Sequence, residues 1–352
     1  MACVAHASLV APGPCGLRLG RCLRSAPARP QLRPRVHTPA SSSSLPSSAP
    51  GLTPGTSGNG ITSGGAPPPE PTPVRITHDV NVSAVLSPQA VYHKCADLGA
   101  YKAALPWWKI VLAGAMAGMY VSLGGMLLLT VGPNCVAMAG DNPGLARYIT
   151  GAIGFPYALL TILTCGAELF TGNTAVVTAA VYEGKADLRS LAKSWICSYA
   201  GNILGAAAGV GLAVASGLLP QLTRGAAALA IYKTGAPVGV TLARAIGANW
   251  LVCIAVWQCT AAQTYGGKFI ACLGPISAFV TIGLEHCIAN MFFVPLGILA
   301  GADVNMRDFV LRNLIPVTLG NIFAGVVCVA TLYSLLYGAL GDRIMGKKPA
   351  TA

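Results

Sequence analysis

Four stretches of this chain, residues 110–140, 194–223, 245–267 and 313–341, contain no Asp, Glu, Lys, Arg or His at all. Each is longer than the ~20 residues that a helix needs to cross a bilayer. Two more apolar stretches, 148–182 and 269–302, are each interrupted at one place, by Glu168 and by the pair Glu285–His286. In lipid a spanning segment must satisfy its own backbone N–H and C=O groups, and uncharged runs of this length do so as helices. The sequence therefore predicts an all-α integral membrane protein with six transmembrane helices. Composition agrees: 10% of residues are charged, against about 25% in soluble domains.

Charge and cysteine content exclude other classes. The net charge is +12, but six of the 23 basic residues fall within residues 18–35 and the others scatter around the ends of apolar segments. That distribution fits interface anchoring, with lipid as partner and no nucleic acid. The 12 cysteines make no CxxC and no paired Cys/His motif, so they read as packing residues, with no metal, cofactor or disulfide framework. An intramembrane metallohydrolase would need an H-E-x-x-H pair or three ligands. His286 is the only histidine after residue 93, so the chain is not expected to be an enzyme.

The first 69 residues hold six arginines, no lysine and no acid, in a background rich in Ser, Pro and Ala. This is the composition of an organelle transit peptide, and its Pro and Ser content suits a plastid. Residues 1–75 are thus expected to be a chloroplast transit peptide with a disordered linker, and the protein to reside in the chloroplast envelope, the inner membrane favoured. Residues 76–106 are expected to carry an amphipathic helix, started by Ser87 and Pro88. Val91, Cys95 and Leu98 make its apolar face, with Lys94, Asp97 and Lys102 mainly turned away, so that it rests on the membrane surface before Trp107–Trp108. A six-helix channel domain, 107–340, and a stromal tail, 341–352, follow. Charge places the N-terminus, the 183–193 loop and this tail on one side.

Two stretches read alike. "GAELFTGNTAVV" (166–177) and "IGLEHCIANMFFV" (282–294) both contain E-x-x-x-x-N, Glu168 to Asn173 and Glu285 to Asn290. Each follows a proline in the same segment, Pro156 or Pro275, and each precedes a Gly-Asn pair, at Asn202 or Asn321. With three segments per half the halves enter the membrane from opposite sides, an inverted 3+3 repeat. Its middle segments are broken helices, tolerated only where they are buried or line a cavity. The runs Gly114-x-x-x-Gly118 and Gly201-x-x-x-Gly205-x-x-x-Gly209 offer smooth faces for close helix approach.

An ionisable group in a spanning segment costs at least ~2.5–3.5 kcal/mol and needs a partner or a cavity. Glu168 and Glu285 hold equivalent places, which suits holding the backbone amides freed where each helix breaks. His286 breaks the symmetry, because its counterpart is Leu169. It reads either as a buried histidine bonded to backbone or as a pore-facing donor that attracts, and can protonate, a small anion. Thr171 sits in the first break with a hydroxyl to offer the same anion. Lys233 lies in the link between the halves, either recruiting anions or simply exposed. Leu159 and Phe279 precede the polar sites and read as hydrophobic gates or as ordinary packing.

"GAELFTGN", "NWLVCIAVW", "GLEHCIANMF" and "NLIPVTLGN" resemble the signature segments of the formate/nitrite transporter family, in order, over roughly residues 88–340. The resemblance implies an aquaporin-like fold, a homopentamer with a pore within each protomer, and passage of small monovalent weak-acid anions. Matched by motif, the family's pore histidine falls on His286, its vestibule lysine on Lys233 and its loop threonine on Thr171. Its pore asparagines fall on Asn249 and Asn321, and its constrictions on Leu159 and Phe279. The leader is similar to those of green-algal chloroplast envelope members, associated with nitrite or bicarbonate. Nitrite is the first expectation, with bicarbonate or formate as alternatives; channel and proton-coupled carrier both stay open.

Overall fold

Helices begin where the sequence supplies caps. In a computed structural model, which describes residues 84–346, the Ser87 hydroxyl accepts from the Ala90 N–H (3.3 Å) and opens α1 (Pro88–Ala104). After Trp107, α2 (Trp107–Val131) crosses the membrane, and the short α3 (Val136–Asp141) leads into α4 (Pro143–Ala152) and α5 (Phe155–Thr164). The chain then breaks and resumes as α6 (Phe170–Tyr182), and α7 (Leu188–Ala215) completes the first half. The second half repeats the plan with α8 (Leu219–Gly235), α9 (Val238–Ala261), α10 (Tyr265–Ile282), a second break, α11 (Cys287–Leu299) and a last span, Met306–Tyr337. Six helices among the described residues are long and apolar enough to cross a bilayer.

The halves correspond in detail. α1 and α8 are both 17 residues long and carry Tyr–Lys at the same place in the last turn, Tyr101–Lys102 and Tyr232–Lys233. They differ in two spans: α4 and α5 are interrupted at Gly154 where α10 is continuous, and α7 is regular, whereas Met306–Tyr337 contains two π-helical stretches, Phe309–Leu314 and Ala324–Thr331.

Glycines decide how α2 and α7 cross. A Cβ on Gly114 would lie 3.1 Å from the Gly201 Cα, and one on Gly205 would run into the Ala115 carbonyl oxygen. Both runs anticipated from sequence therefore face each other. Nine free cysteines are described, six of them buried in the helix packing.

Two expectations need correction. Pro156 and Pro275, read as part of what interrupts each helix, do not mark the breaks at the motifs: Pro156 lies in the first turn of α5, and Pro275 lies inside α10, which continues to Ile282. The breaks fall at Cys165–Leu169 and Gly283–His286, where Gly166 (φ 71°) and Gly283 (φ 84°) take left-handed backbone that a side chain would disfavour. α1 lays its apolar face on the protein. Tyr92, Cys95, Ala96 and Gly99 are buried, and Gly99 meets the Val176 backbone with no room for a Cβ. Lys233 is not in a loop but in the last turn of α8, and it is buried.

One side of the molecule gathers the elements expected there. Tyr92 donates to Glu183 (2.6 Å), the Ala339 N–H donates to the same carboxylate (2.8 Å), and Lys185 pairs with Asp97 (2.5 Å). The proposed leader and linker, residues 1–75, and the tail beyond residue 346 lie outside the described residues.

Candidate functional site

Each break exposes a peptide N–H and carbonyls that lipid cannot satisfy. In the first, the Phe170 N–H donates to Asn202 Oδ1 (3.0 Å), and Asn202 Nδ2 donates to the carbonyls of Gly114 (2.8 Å) and Glu168 (2.9 Å). In the second, the Cys287 N–H donates to Asn321 Oδ1 (2.9 Å), and Asn321 Nδ2 donates to the carbonyls of Ala245 (2.8 Å) and Glu285 (3.1 Å). The freed amides are thus held by the asparagines, because an amide can accept and donate at once and a carboxylate cannot. The bracing expected of Glu168 and Glu285 is corrected accordingly.

The two glutamates have another task. Glu168 pairs with Lys102 (2.7 Å) and accepts from Asn173 (2.7 Å). Glu285 pairs with Lys233 (3.1 Å) and accepts from Asn290 (2.7 Å) and Asn313 (3.2 Å). The E-x-x-x-x-N motif therefore closes a ring across each break, carboxylate to the first turn of the next helix, and attaches a lysine from α1 or α8. Lys102, with 12% of its side chain exposed, was missed in the sequence. Only the Tyr–Lys recurrence in α1 and α8 pointed to it.

Between the breaks the two halves touch. His286 caps α11: its Nδ1 accepts the Ala289 N–H (3.2 Å), and its Nε2 lies 2.9 Å from Thr171 Oγ1. Since Nδ1 accepts, the neutral ring carries its hydrogen on Nε2 and donates it to Thr171. The N-termini of α6 and α11, the positive ends of two half-helices, converge here.

His286 is the one polar residue lining a chamber of about 30 Å³, otherwise walled by Val121, Phe155, Leu159, Val252, Phe279 and other apolar side chains. On one side the chamber shares Phe155, Phe279 and His286 with a vestibule of about 170 Å³ that Lys233 lines. On the other it shares Leu159, Ile162 and Leu169 with a recess of about 20 Å³ lined by Lys102. Phe279 and Leu159 thus stand at the two necks of the chamber, with Phe155 beside Phe279 at 6.1 Å between ring centroids. Phe155 carried no signal in the sequence beyond being aromatic.

Thr171, Asn249 and Asn321 stand elsewhere than the resemblance implied. None lines these cavities, and all are fully buried. Thr171 lies behind His286, and Asn249 Nδ2 donates to the Thr171 carbonyl (3.2 Å), Thr174 Oγ1 (3.2 Å) and the Asn321 carbonyl (2.6 Å). They fix the histidine and the break, and line none of these three cavities.

The profile described as "Formate/nitrite transporter" matches residues 89–335. The chain is 37% identical to the "Probable formate transporter" of Methanothermobacter thermautotrophicus over 72% of its own length and 98% of that protein. It is 30% identical to the "Formate channel FocA" of Escherichia coli (strain K12), over 72% of the chain and 95% of that protein. Among solved structures it resembles an "FNT family ion channel", with a TM-score of 0.64 and 29% identity over 70% of this chain and 98% of that one. It also resembles a "Pentameric formate channel with formate bound", with a TM-score of 0.57 and 30% identity over 66% and 97%. Spanning helices, paired breaks and a profile that covers most of the sequence agree: this chain belongs to the formate/nitrite transporter family.

Proposed function

We propose that each protomer conducts small monovalent anions of weak acids along a path from the Lys233 vestibule past Phe279, over His286 and past Leu159. The observation that carries this reading is the chamber itself, an apolar space with one hydrogen-bonding group in its wall. A bare anion there would lose its hydration without a counter-charge, at a cost far above thermal energy. The conjugate base of a weak acid avoids that cost by taking up a proton, which a strong-acid anion does not do.

The Nε2–H tautomer gives His286 a hydrogen bond to offer and no net proton, so the proton travels with the anion from the vestibule. Thr171 keeps the ring oriented and takes back the hydrogen bond after each passage. Formate, nitrite and bicarbonate are all conjugate bases of weak acids and fit this scheme. The names of the relatives add weight to formate, and nitrite stays beside it. We further propose a homopentamer, after the pentameric neighbour, and, from the leader's composition, a place in the chloroplast inner envelope with the tail in the stroma.

Purified protein in liposomes tests this with formate, nitrite and bicarbonate side by side and a pH dye inside. Flux of formate and nitrite that brings protons with it is expected, reduced or re-ranked in His286→Ala. Failure of all three anions to move would sink the reading.

A further inference from the structure

Of the nine described cysteines, two from neighbouring helices meet sulfur to sulfur. Cys259 lies near the end of α9 and Cys272 two turns into α10. Cys259 Sγ donates to the Lys268 carbonyl (3.3 Å), so the hydrogen between the two sulfurs comes from Cys272. Lys268 Nζ donates in turn to the Cys259 carbonyl (2.9 Å), tying the end of α9 to the start of α10 across the turn at 262–264. The sulfurs stand 3.1 Å apart, so closing to the ~2.05 Å of a disulfide takes about 1 Å of movement.

The pair belongs to the seam that walls the chamber. In α10, Cys272 shares a helix face with Ile276 and Phe279; in α9, Cys259 shares one with Val252. Val252, Ile276 and Phe279 all line the chamber. Two helical turns, ~10 Å, separate each cysteine from the far end of that wall. The other half builds the same seam without sulfur. Val121, Leu159 and Ile162 are the chamber-lining counterparts of Val252, Ile276 and Phe279. In that register Leu128 holds the place of Cys259, and Phe155 the place of Cys272. Both line the Lys233 vestibule. Large apolar side chains thus satisfy the packing there, and the fold does not require thiols.

Cys259 and Cys272 are 2% and 0% exposed. Burial keeps a protein disulfide away from the sulfurs. Hydrogen peroxide, small and uncharged, needs only a local opening at the turn.

We propose that Cys259 and Cys272 form a dithiol that peroxide oxidises to a disulfide, and that this bond draws α9 and α10 together and slows anion passage. The second part rests on the transport reading above. One sulfur takes an oxygen from the peroxide; the O–O bond breaks, and the thiol proton leaves with the other oxygen as water. The second sulfur then attacks the sulfenic sulfur; the S–O bond breaks, and the hydroxyl leaves with the second thiol proton as water. Two thiols and one peroxide become one disulfide and two waters, with two electrons passing from sulfur to oxygen. A chamber of about 30 Å³ has little space to give up when its wall tightens.

Hydrogen peroxide applied to the full-length protein in liposomes tests this, with formate flux and peptide mapping by mass spectrometry on the same sample. A cross-linked Cys259–Cys272 peptide is expected, together with a loss of flux that dithiothreitol restores. C259S and C272S, each with a hydroxyl in place of a thiol, should keep their flux under the same treatment. A map without this cross-link overturns the proposal. So does flux unchanged where the cross-link is complete, or an equal loss in C259S and C272S. Formate that fails to move even through the reduced protein would overturn the transport reading, and the map alone would then decide the dithiol.

Discussion

Removing one partner of the Lys233–Glu285 pair should cost more than removing both. In Glu285→Gln the carbonyl of the new amide still accepts from Asn290 and Asn313, which now reach Glu285 at 2.7 and 3.2 Å. The Lys233 ammonium, 3.1 Å from the same Oε2 oxygen, can still donate to that carbonyl but no longer meets a negative charge. A buried charge left without its counter-ion costs about 3–5 kcal/mol. In Lys233→Met the carboxylate keeps two amide donors, so the loss should sit at the lower end of that range. The double variant Lys233→Met/Glu285→Gln buries no charge and leaves at most one amide donor unpaired, about 1–3 kcal/mol. The cycle should therefore show a coupling of about 3 kcal/mol or more. Thermal unfolding of the detergent-solubilised protein reads it out. At about 2–4 °C per kcal/mol for a domain of this size, the single variants should melt on the order of 10 °C lower. The double variant should recover most of that. Losses that add to within about 0.5 kcal/mol, the behaviour of independent sites, would refute the coupling.

Other expectations follow from the same geometry. His286→Asn keeps an acceptor for the Ala289 N–H and should melt within about 0.5 kcal/mol of wild type, whereas His286→Ala loses about 1 kcal/mol of cap; a flux assay should show both altered in selectivity. Asn321→Ala orphans the Cys287 N–H and two carbonyls, and Asn202→Ala does the same to Phe170. Either should lose at least about 1–3 kcal/mol in a melting experiment. Gly205→Ala drives a methyl into the Ala115 carbonyl, a backbone atom that cannot step aside, and should cost about 1–3 kcal/mol or more. Gly211→Ala, with open space at its Cβ position, should be neutral in the same assay.

Much of this architecture is determined by the linear sequence, for a physical reason. A bilayer has no water to solvate a peptide group, so an uncharged run of this length has to be a helix wherever it lies. A carboxylate inside such a run has to have a partner. The six spans, the inverted repeat, the two breaks and the importance of Glu168, Glu285 and His286 are therefore visible before any coordinates. The sequence does not show who those partners are. Lys102 lies 66 residues from Glu168, Lys233 lies 52 from Glu285, and Thr171 lies 115 from His286. Periodicity and spacing carry no information on such pairings. Asn321 was expected in the path on the resemblance alone. Only the packed structure shows its amide engaged by three peptide groups.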